Sequence, residues 1–425
     1  MSRDATRNSA LAFALLFLGL IDPYFVWRFT GSPPGLRAIF LGLFTLTLAV
    51  AVSNFVQRAF NLVSSSSRIC VLAAFAWAFV LAVPASGIYA LLLFILPSLL
   101  WLQERAWRRA SVALCLGAAL FVATPYAFAA LKAEPVYWLK KPSDATDSRA
   151  TVVLLFDEFS AKAAEPLVAQ LLKSGEPMWT KSLKPVGQNT VNVIPALFSD
   201  GDYANDQICG LTALCTGTRV FDFSRVVVGR PDVDVVGFYM PYCAIAALRF
   251  CSAIPLDRNR HWACTFSRSV LLGLERVGRY VPEVCATDLV DDMRRILGAT
   301  EAALWRAPVW SKGGVLFAHL PSPHPVGLKA THRSLSADYE SNLQDVSRIA
   351  SKALARLRES GRPYRLILFS DHPLRRSHCE APVYAVANCD KTKYFDIQVP
   401  LIVVGEFPAG FDAIRSNRAI FGLVD

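Results

Sequence analysis

The apolar residues of this 425-residue chain are crowded into its first third. Hydrophobic residues make up 53% of the whole and charged residues only 18%, whereas soluble domains carry about 25% charged residues. The excess lies in four stretches, residues 9–26, 36–55, 69–102 and 110–131. A helix needs about 20 apolar residues to cross a bilayer core of about 30 Å. As one helix, residues 69–102 would run about 50 Å, and Pro84-Ala85-Ser86-Gly87 at the middle is a turn signal. That stretch therefore reads as two spans, 69–84 and 87–102, and residues 1–131 as an α-helical anchor of five transmembrane helices.

The arginines orient the anchor. Arg3 and Arg7 precede the first span, Arg58 and Arg68 fall between the second and third, and Arg105, Arg108 and Arg109 precede the last. With the N-terminus inside, five spans put all three groups in the cytoplasm and everything after residue 131 outside. Four spans would leave that domain inside. No small-residue cleavage site follows the first span, which sets it apart from a signal peptide. The spans hold almost no charge beyond Asp22, whereas a substrate path usually needs more, which weighs against a transporter. The net charge of +10 does not imply nucleic acid, because the arginines form no basic stripe interleaved with aromatics. A basic outer domain suits anionic lipid headgroups.

Cysteine placement agrees with an outer domain. Cys70 and Cys115 lie in apolar stretches, whereas Cys209, Cys215, Cys243, Cys251, Cys264, Cys285, Cys379 and Cys389 all follow the anchor. An even set without a C-x-x-C pair reads as disulfides in an oxidising compartment, with the pairing left open. Residues 132–150 mix charge, proline and a Tyr137-Trp138 pair, and read as a linker along the membrane surface.

Residues 151–425 read as an α/β domain. Short apolar runs at 151–156, 234–239, 313–318, 365–370 and 399–404 are continuous rather than alternating, as in strands buried on both faces of a mostly parallel sheet. Residues 338–360 carry a helical apolar face and stop at Gly361. Parallel sheets bind ligands at the carboxyl ends of their strands. Three of these runs end in ligand-type residues: Asp157-Glu158, then His319 with His324 five residues on, and Asp371-His372. An Asp after a strand is often only a helix cap, but three coincidences at equivalent ends point to a metal. Carboxylates with imidazoles suit zinc, or manganese, better than calcium.

These residues resemble the metal-binding blocks of the alkaline phosphatase and sulfatase superfamily, whose sandwich surrounds such a sheet. In layout the chain is most similar to the membrane-anchored phosphoethanolamine transferases that modify lipid A. The likeness spans the chain in organisation and four short blocks in residues. Thr190, Pro195 and Leu197-Phe198-Ser199 match the spacing around those enzymes' nucleophilic threonine. The resemblance thus implies Thr190 as the nucleophile. Asp157 or Glu158, with Asp371 and His372, would hold the main metal, and His324 would lie near a second metal or the phosphate. His319, Arg219 and Asn189 are its candidate substrate contacts. It further implies a bacterial inner-membrane protein with a periplasmic catalytic domain acting on an envelope lipid or glycan. The leading expectation is transfer of a phosphoethanolamine-like group through Thr190 to such an acceptor. The alternative is hydrolysis of a phosphoric or sulfuric ester at the same site, and the oligomeric state stays open.

The sequence departs from that pattern. Pro373 follows His372 where a glycine is usual, and Tyr384 stands where a later metal-binding histidine is expected. His378 lies nearer and reads as a surface histidine. These losses keep alive a non-catalytic domain that binds an envelope glycan or partner. Cys215-Thr216-Gly217-Thr218-Arg219 resembles a formylglycine signature but has Gly in place of Pro or Ala. Tyr239, Tyr242 and Arg249 read as packing beside a disulfide.

Overall fold

The computed structural model describes residues 133–139, 149–199, 201, 207–208, 212–216, 219–254, 283–325, 334–380 and 393–424. The five spans, most of the 132–150 linker, Tyr384, Cys209, Cys264 and Cys389 lie outside the described residues. Among the described residues, no helix is long and apolar enough to cross a membrane. The chain divides into two compact units, and the described residues fall almost wholly in the one made of Trp27–Pro33, Ala129–Asn259 and Ala286–Asp425.

In chain order this unit contains β1 (Val136–Trp138), β2 (Ala150–Asp157), α1 (Ala161–Leu172), β3 (Met178–Leu183) and α2 (Thr190–Phe198). Then come β4 (Gln207–Ile208), β5 (Ala213–Thr216), β6 (Arg219–Asp222), β7 (Val226–Val228), β8 (Val233–Phe238) and β9 (Phe250–Ile254). Last are α3 (Glu283–Arg306), α4 (Val309–Lys312), β10 (Gly314–Pro323), α5 (Leu335–Glu359), β11 (Tyr364–Ser370) and β12 (Val399–Gly405). Seven strands form the main sheet in the order β3-β12-β11-β2-β10-β8-β9. The run from β11 to β9 is parallel throughout. The fifth apolar run, now β12, departs from the expected parallel set: it is antiparallel to both β11 and β3. Strands β3 and β9, which close the two edges, left no continuous apolar signal because each is only partly buried.

Side-chain alternation builds two cores. Val153, Leu155, Val315, Phe317, Ile367 and Phe369 point to one face, against Val193, Ile194 and Leu197 of α2. Their neighbours Val152, Leu154, Leu316, Ala318, Leu366 and Leu368 point to the other, against α1 and α5. Both faces of the central strands are dry, which is why their sequences read as unbroken apolar runs. Helix α5 is the expected crossover helix. The Ser334 hydroxyl caps it by accepting from the Ala337 amide at 3.2 Å, and Gly361 ends it in the left-handed conformation that glycine adopts without penalty.

The expected Tyr-Trp surface pair divides. Tyr137 is 80% exposed, but Trp138 is buried at 2% and packs on Phe198 at 4.6 Å, Phe421 at 5.1 Å and Phe317 at 6.2 Å between ring centres. Strand alternation sends adjacent residues to opposite sides, so one of the pair enters the core. Among the cysteines, Cys243 and Cys251 are bonded to each other, Cys215 and Cys379 are also disulfide-bonded, and Cys285 falls in α3. Truncating a buried Trp typically costs about 3–5 kcal/mol. Trp138→Ala in the full-length protein in detergent is therefore expected to lower Tm by on the order of 10 °C; an unchanged Tm would mean that the aromatic cluster does not hold β1.

Candidate metal centre

Alternation also sets the site. Asp157 ends β2, Asp371 follows β11, and His319 lies inside β10, all continuing the rows that face α2. Strand β10 runs four residues past His319, so that histidine sits in the sheet rather than at the strand end expected of it. Helix α2 brings its N-terminus to these carboxylates. Asn189 is its N-cap and Thr190 its first residue, and the Thr190 hydroxyl donates to Asp371 Oδ2 at 2.8 Å. The hydroxyl is thus not a cap for its own helix.

Two groups of metal-type ligands lie at this edge, and within each the ligand atoms are all within 4.8 Å of one another. The first is Asp157, Asp371 and His372, all buried. His372 Nε2 lies 3.4 Å from Asp371 Oδ2 and 3.8 Å from Asp157 Oδ1. Its Nδ1 sits 3.1 Å from the Pro373 carbonyl, which can only accept, so the ring proton belongs on Nδ1 and the Nε2 lone pair faces the carboxylates. Asp371 Oδ1 accepts from the backbone amides of Glu158 at 3.2 Å and His372 at 2.8 Å. Asp157 Oδ1 is buried and has no hydrogen-bond partner among the described residues. Burial, then the Asp371 and Glu158 carboxylates, push the Asp157 pKa well above the usual carboxylate value. An orphaned carboxylate oxygen, a second carboxylate and an imidazole lone pair converging in a dry pocket fit a divalent cation.

The second group is Glu158, His324 and His378. Glu158 has a positive φ of 62°, a conformation costing about 1–3 kcal/mol in a non-glycine residue. The Tyr339 hydroxyl donates to its carbonyl at 2.6 Å, and Asp371 accepts from its amide, so both sides of the strained residue are held. Burial raises the Glu158 pKa, but His324, His378, Arg375 and His372 outweigh it and hold this carboxyl well below its ordinary range. Its Oε1 accepts from Arg375 Nε and its Oε2 pairs with His378 Nε2 at 2.7 Å. His324 Nε2 lies 3.8 Å from Oε1. Thus the adjacent Asp157 and Glu158, alternatives for one ligand position in the sequence, serve different groups.

The remaining candidates separate. Asn189 Oδ1 accepts from Arg375 Nη1 at 2.9 Å, so it belongs to the site. Arg219 is exposed at the start of β6 and contacts neither group among the described residues. Cys215 is in a disulfide, which removes it as a formylglycine precursor. Arg249 is bound to Asp234 at 2.7 and 2.8 Å and is structural. His378, expected at the surface, is instead drawn onto Glu158, and Arg375, for which the sequence carries no expectation, reaches the same carboxylate. The one signal for both was their position shortly after the Asp371-His372 strand end.

His319 is fully buried, and burial pulls its pKa down to about 4. Its Nδ1 lies 2.8 Å from the Tyr242 hydroxyl. Burial, then Asp371 and Asp157, push the Tyr242 pKa well up, so it remains a phenol and donates to Nδ1. The imidazole proton then sits on Nε2, which is buried without a partner among the described residues. Gly237 makes this arrangement fit, since a Cβ there would stand 2.6 Å from the Tyr242 ring.

No protein-family model matches the chain and no curated protein does. Among solved structures it is similar to the C-terminal periplasmic domain of EcEptC from Escherichia coli in complex with Zn, at 9% identity and a TM-score of 0.38, over 69% of this chain and 86% of that one. It is also similar to the integral membrane lipooligosaccharide phosphoethanolamine transferase A from Neisseria meningitidis, at 13% identity and a TM-score of 0.36, over 98% and 95%. A TAB5 alkaline phosphatase variant with Mg bound aligns at 13% identity and a TM-score of 0.37, over 65% and 97%.

The buried, neutral His319 has a signed consequence. Its folded pKa of about 4 lies below the 6.5 of an exposed imidazole, so between those values the unfolded chain binds the extra proton. Its contribution is intact above about pH 6.5 and falls toward pH 4, by roughly 3 kcal/mol at the limit. Tm of the wild type is expected to drop more steeply over that range than Tm of His319→Asn; parallel curves would show that His319 is not held neutral.

Proposed function

We propose that the chain is a metal-dependent phosphoryl-group transferase, anchored in a bacterial inner membrane by residues 1–131, with residues 151–425 as the periplasmic catalytic domain. The observation that carries this is the Thr190 hydroxyl, held at 2.8 Å on a carboxylate of the Asp157, Asp371 and His372 group. A hydroxyl is a weak nucleophile until its proton has somewhere to go and its oxygen is stabilised. Zinc or a similar cation on Asp157, Asp371 and His372 would stabilise the alkoxide and offset charge on the transferred group.

In the proposed step the Thr190 oxygen attacks phosphorus in line. The P–O bond to the leaving alcohol breaks, and the threonine proton passes to Asp371 Oδ2, which already accepts it. The leaving alkoxide takes up a proton from water. An acceptor hydroxyl of an envelope lipid or glycan then attacks the phosphorus of the threonine phosphodiester, giving its own proton to water. The P–O bond to Thr190 breaks, and the Thr190 oxygen regains the proton held by Asp371. The N-terminal end of α2 adds its partial positive charge beside the transferred anion. Positioning and electrostatics supply most of the barrier reduction in such transfers. The donor fitting this chemistry is a phosphodiester headgroup of the phosphoethanolamine kind.

The test uses full-length protein in detergent with a short-chain fluorescent phosphatidylethanolamine. Thr190→Ala is expected to lose at least about 10³-fold in turnover, a scale typical of a lost nucleophile, while Thr190→Ser keeps a measurable fraction. Rapid quenching should add one phosphoethanolamine mass to the wild type and none to Thr190→Ala, and removing metal with a chelator should abolish both turnover and adduct. Undiminished turnover in Thr190→Ala would end this reading. Adduct formation with release only to water would make the enzyme a hydrolase, and no turnover or adduct with any phosphoester would favour the binding module.

A further inference from the structure

We propose that the Arg375 guanidinium occupies the place of a second cation, so that the centre takes one metal ion, at Asp157, Asp371 and His372, and Arg375 grips the transferred phosphoryl group. The inference rests on the phosphoryl-transfer reading above and names which groups do the gripping.

By composition Glu158, His324 and His378 would make a second metal group. By occupancy they do not. Glu158 Oε1 is taken by Arg375 Nε, and Oε2 by His378 Nε2 at 2.7 Å. His324 Nε2, which would have to turn toward a metal, lies 3.5 Å from Arg375 Nη2. The guanidinium therefore lies against two of the three groups that would otherwise bind an ion, Glu158 and His324, while His378 takes the other Glu158 oxygen. Charge agrees. The three carboxylates Asp157, Glu158 and Asp371 are buried together, and one divalent ion with one guanidinium neutralises them. A second divalent ion would leave the pocket with two uncompensated positive charges, against a steep desolvation penalty.

The other end of the guanidinium explains what it would do. Arg375 Nη1 donates to Asn189 Oδ1 at 2.9 Å, and Asn189 directly precedes Thr190. The arginine thus spans from the buried Glu158 to the residue beside the nucleophile, while its side chain remains 31% exposed on its outer side. Guanidinium carries five N–H donors in a planar fork that matches two oxygens of a phosphoryl group. Glu158 and Asn189 fix its plane, which leaves N–H donors on Nη1 and Nη2 for an anion. Arg375 comes from Pro373-Leu374-Arg375, the stretch that departs from the superfamily-like pattern after His372.

Metal counting on the full-length protein, titrated with Zn²⁺ and freed of loose ion, tests this without reference to turnover. The wild type is expected to saturate at one ion per chain. Arg375→Ala, or Arg375→Gln if the smaller side chain destabilises the fold, should take up a second ion, and adding His378→Ala should return the count to one. The same Arg375 variants should raise KM for the phosphodiester at least about tenfold, as loss of a bidentate anion contact does. A wild type holding two ions, one of them lost in His378→Ala, would overturn the proposal, as would Arg375 variants with one ion and unchanged KM. The ion count also separates this failure from that of the phosphoryl reading, which Thr190→Ala turnover decides.

Discussion

The whole site depends on three carboxylates being kept out of water at one edge of a sheet. Asp157, Glu158 and Asp371 are each buried, and their mutual repulsion is not relieved by solvent. A buried charge without a partner is among the most expensive features a fold can carry. Here the chain supplies Arg375, His324, His378 and His372 around Glu158, but it leaves Asp157 with a raised pKa and an oxygen that no described residue satisfies. Among these three carboxylates, the unsatisfied oxygen belongs to the group beside Thr190. A carboxylate left so poorly balanced beside a neighbour balanced so thoroughly fits the divalent cation proposed for it.

Holding the carboxylates in place takes more of the molecule than the ligands themselves. The Asn417 amide, from near the C-terminus, donates to the carbonyls of Ser370 and Asp371 at 3.0 and 2.6 Å, while its oxygen accepts from the Val186 amide at 3.0 Å. Ser370 Oγ accepts from the Phe159 amide at 2.8 Å, tying the end of β11 to the end of β2. These bonds join segments more than forty residues apart, so the positions of Asp157, Glu158 and Asp371 are set jointly and not by any one loop. The strained backbone of Glu158 persists because these contacts over-determine it.

The five central strands were legible from sequence because both faces are dry, and so was the crossover helix, with its periodic face and glycine stop. Chain direction was not: β12 is as apolar as its parallel neighbours, and only pairing distinguishes it. The Asp371-His372 group and Thr190 were legible as strand-end residues and a spaced motif. Arg375 and His378 were not, because a turn after β11 carries no periodicity that says which way it folds. Their position beside Glu158 follows from the direction in which the chain returns after β11. Arg219 was the reverse case. An arginine near a cysteine fits an anion-binding pattern, yet the strand that holds it belongs to a separate three-stranded sheet.

The placement of the Thr190 oxygen is decided at the opposite end of its helix. α2 is only nine residues long, too short to be stable by itself, so its direction comes from what its far end packs against. That end is Phe198, whose ring meets Trp138, Phe221, Phe223, Tyr242, Phe317 and Phe421 within 6.3 Å. Of these, Phe317 lies on β10 two residues before His319, and Tyr242 reaches His319 Nδ1 directly. One aromatic cluster therefore anchors the helix carrying Thr190 and, through the Tyr242 hydroxyl, orients the His319 imidazole in the sheet beneath it. A rigid hydrophobic contact about 1.5 Å per residue along the helix from the chemistry is what lets a single hydroxyl meet a single carboxylate oxygen.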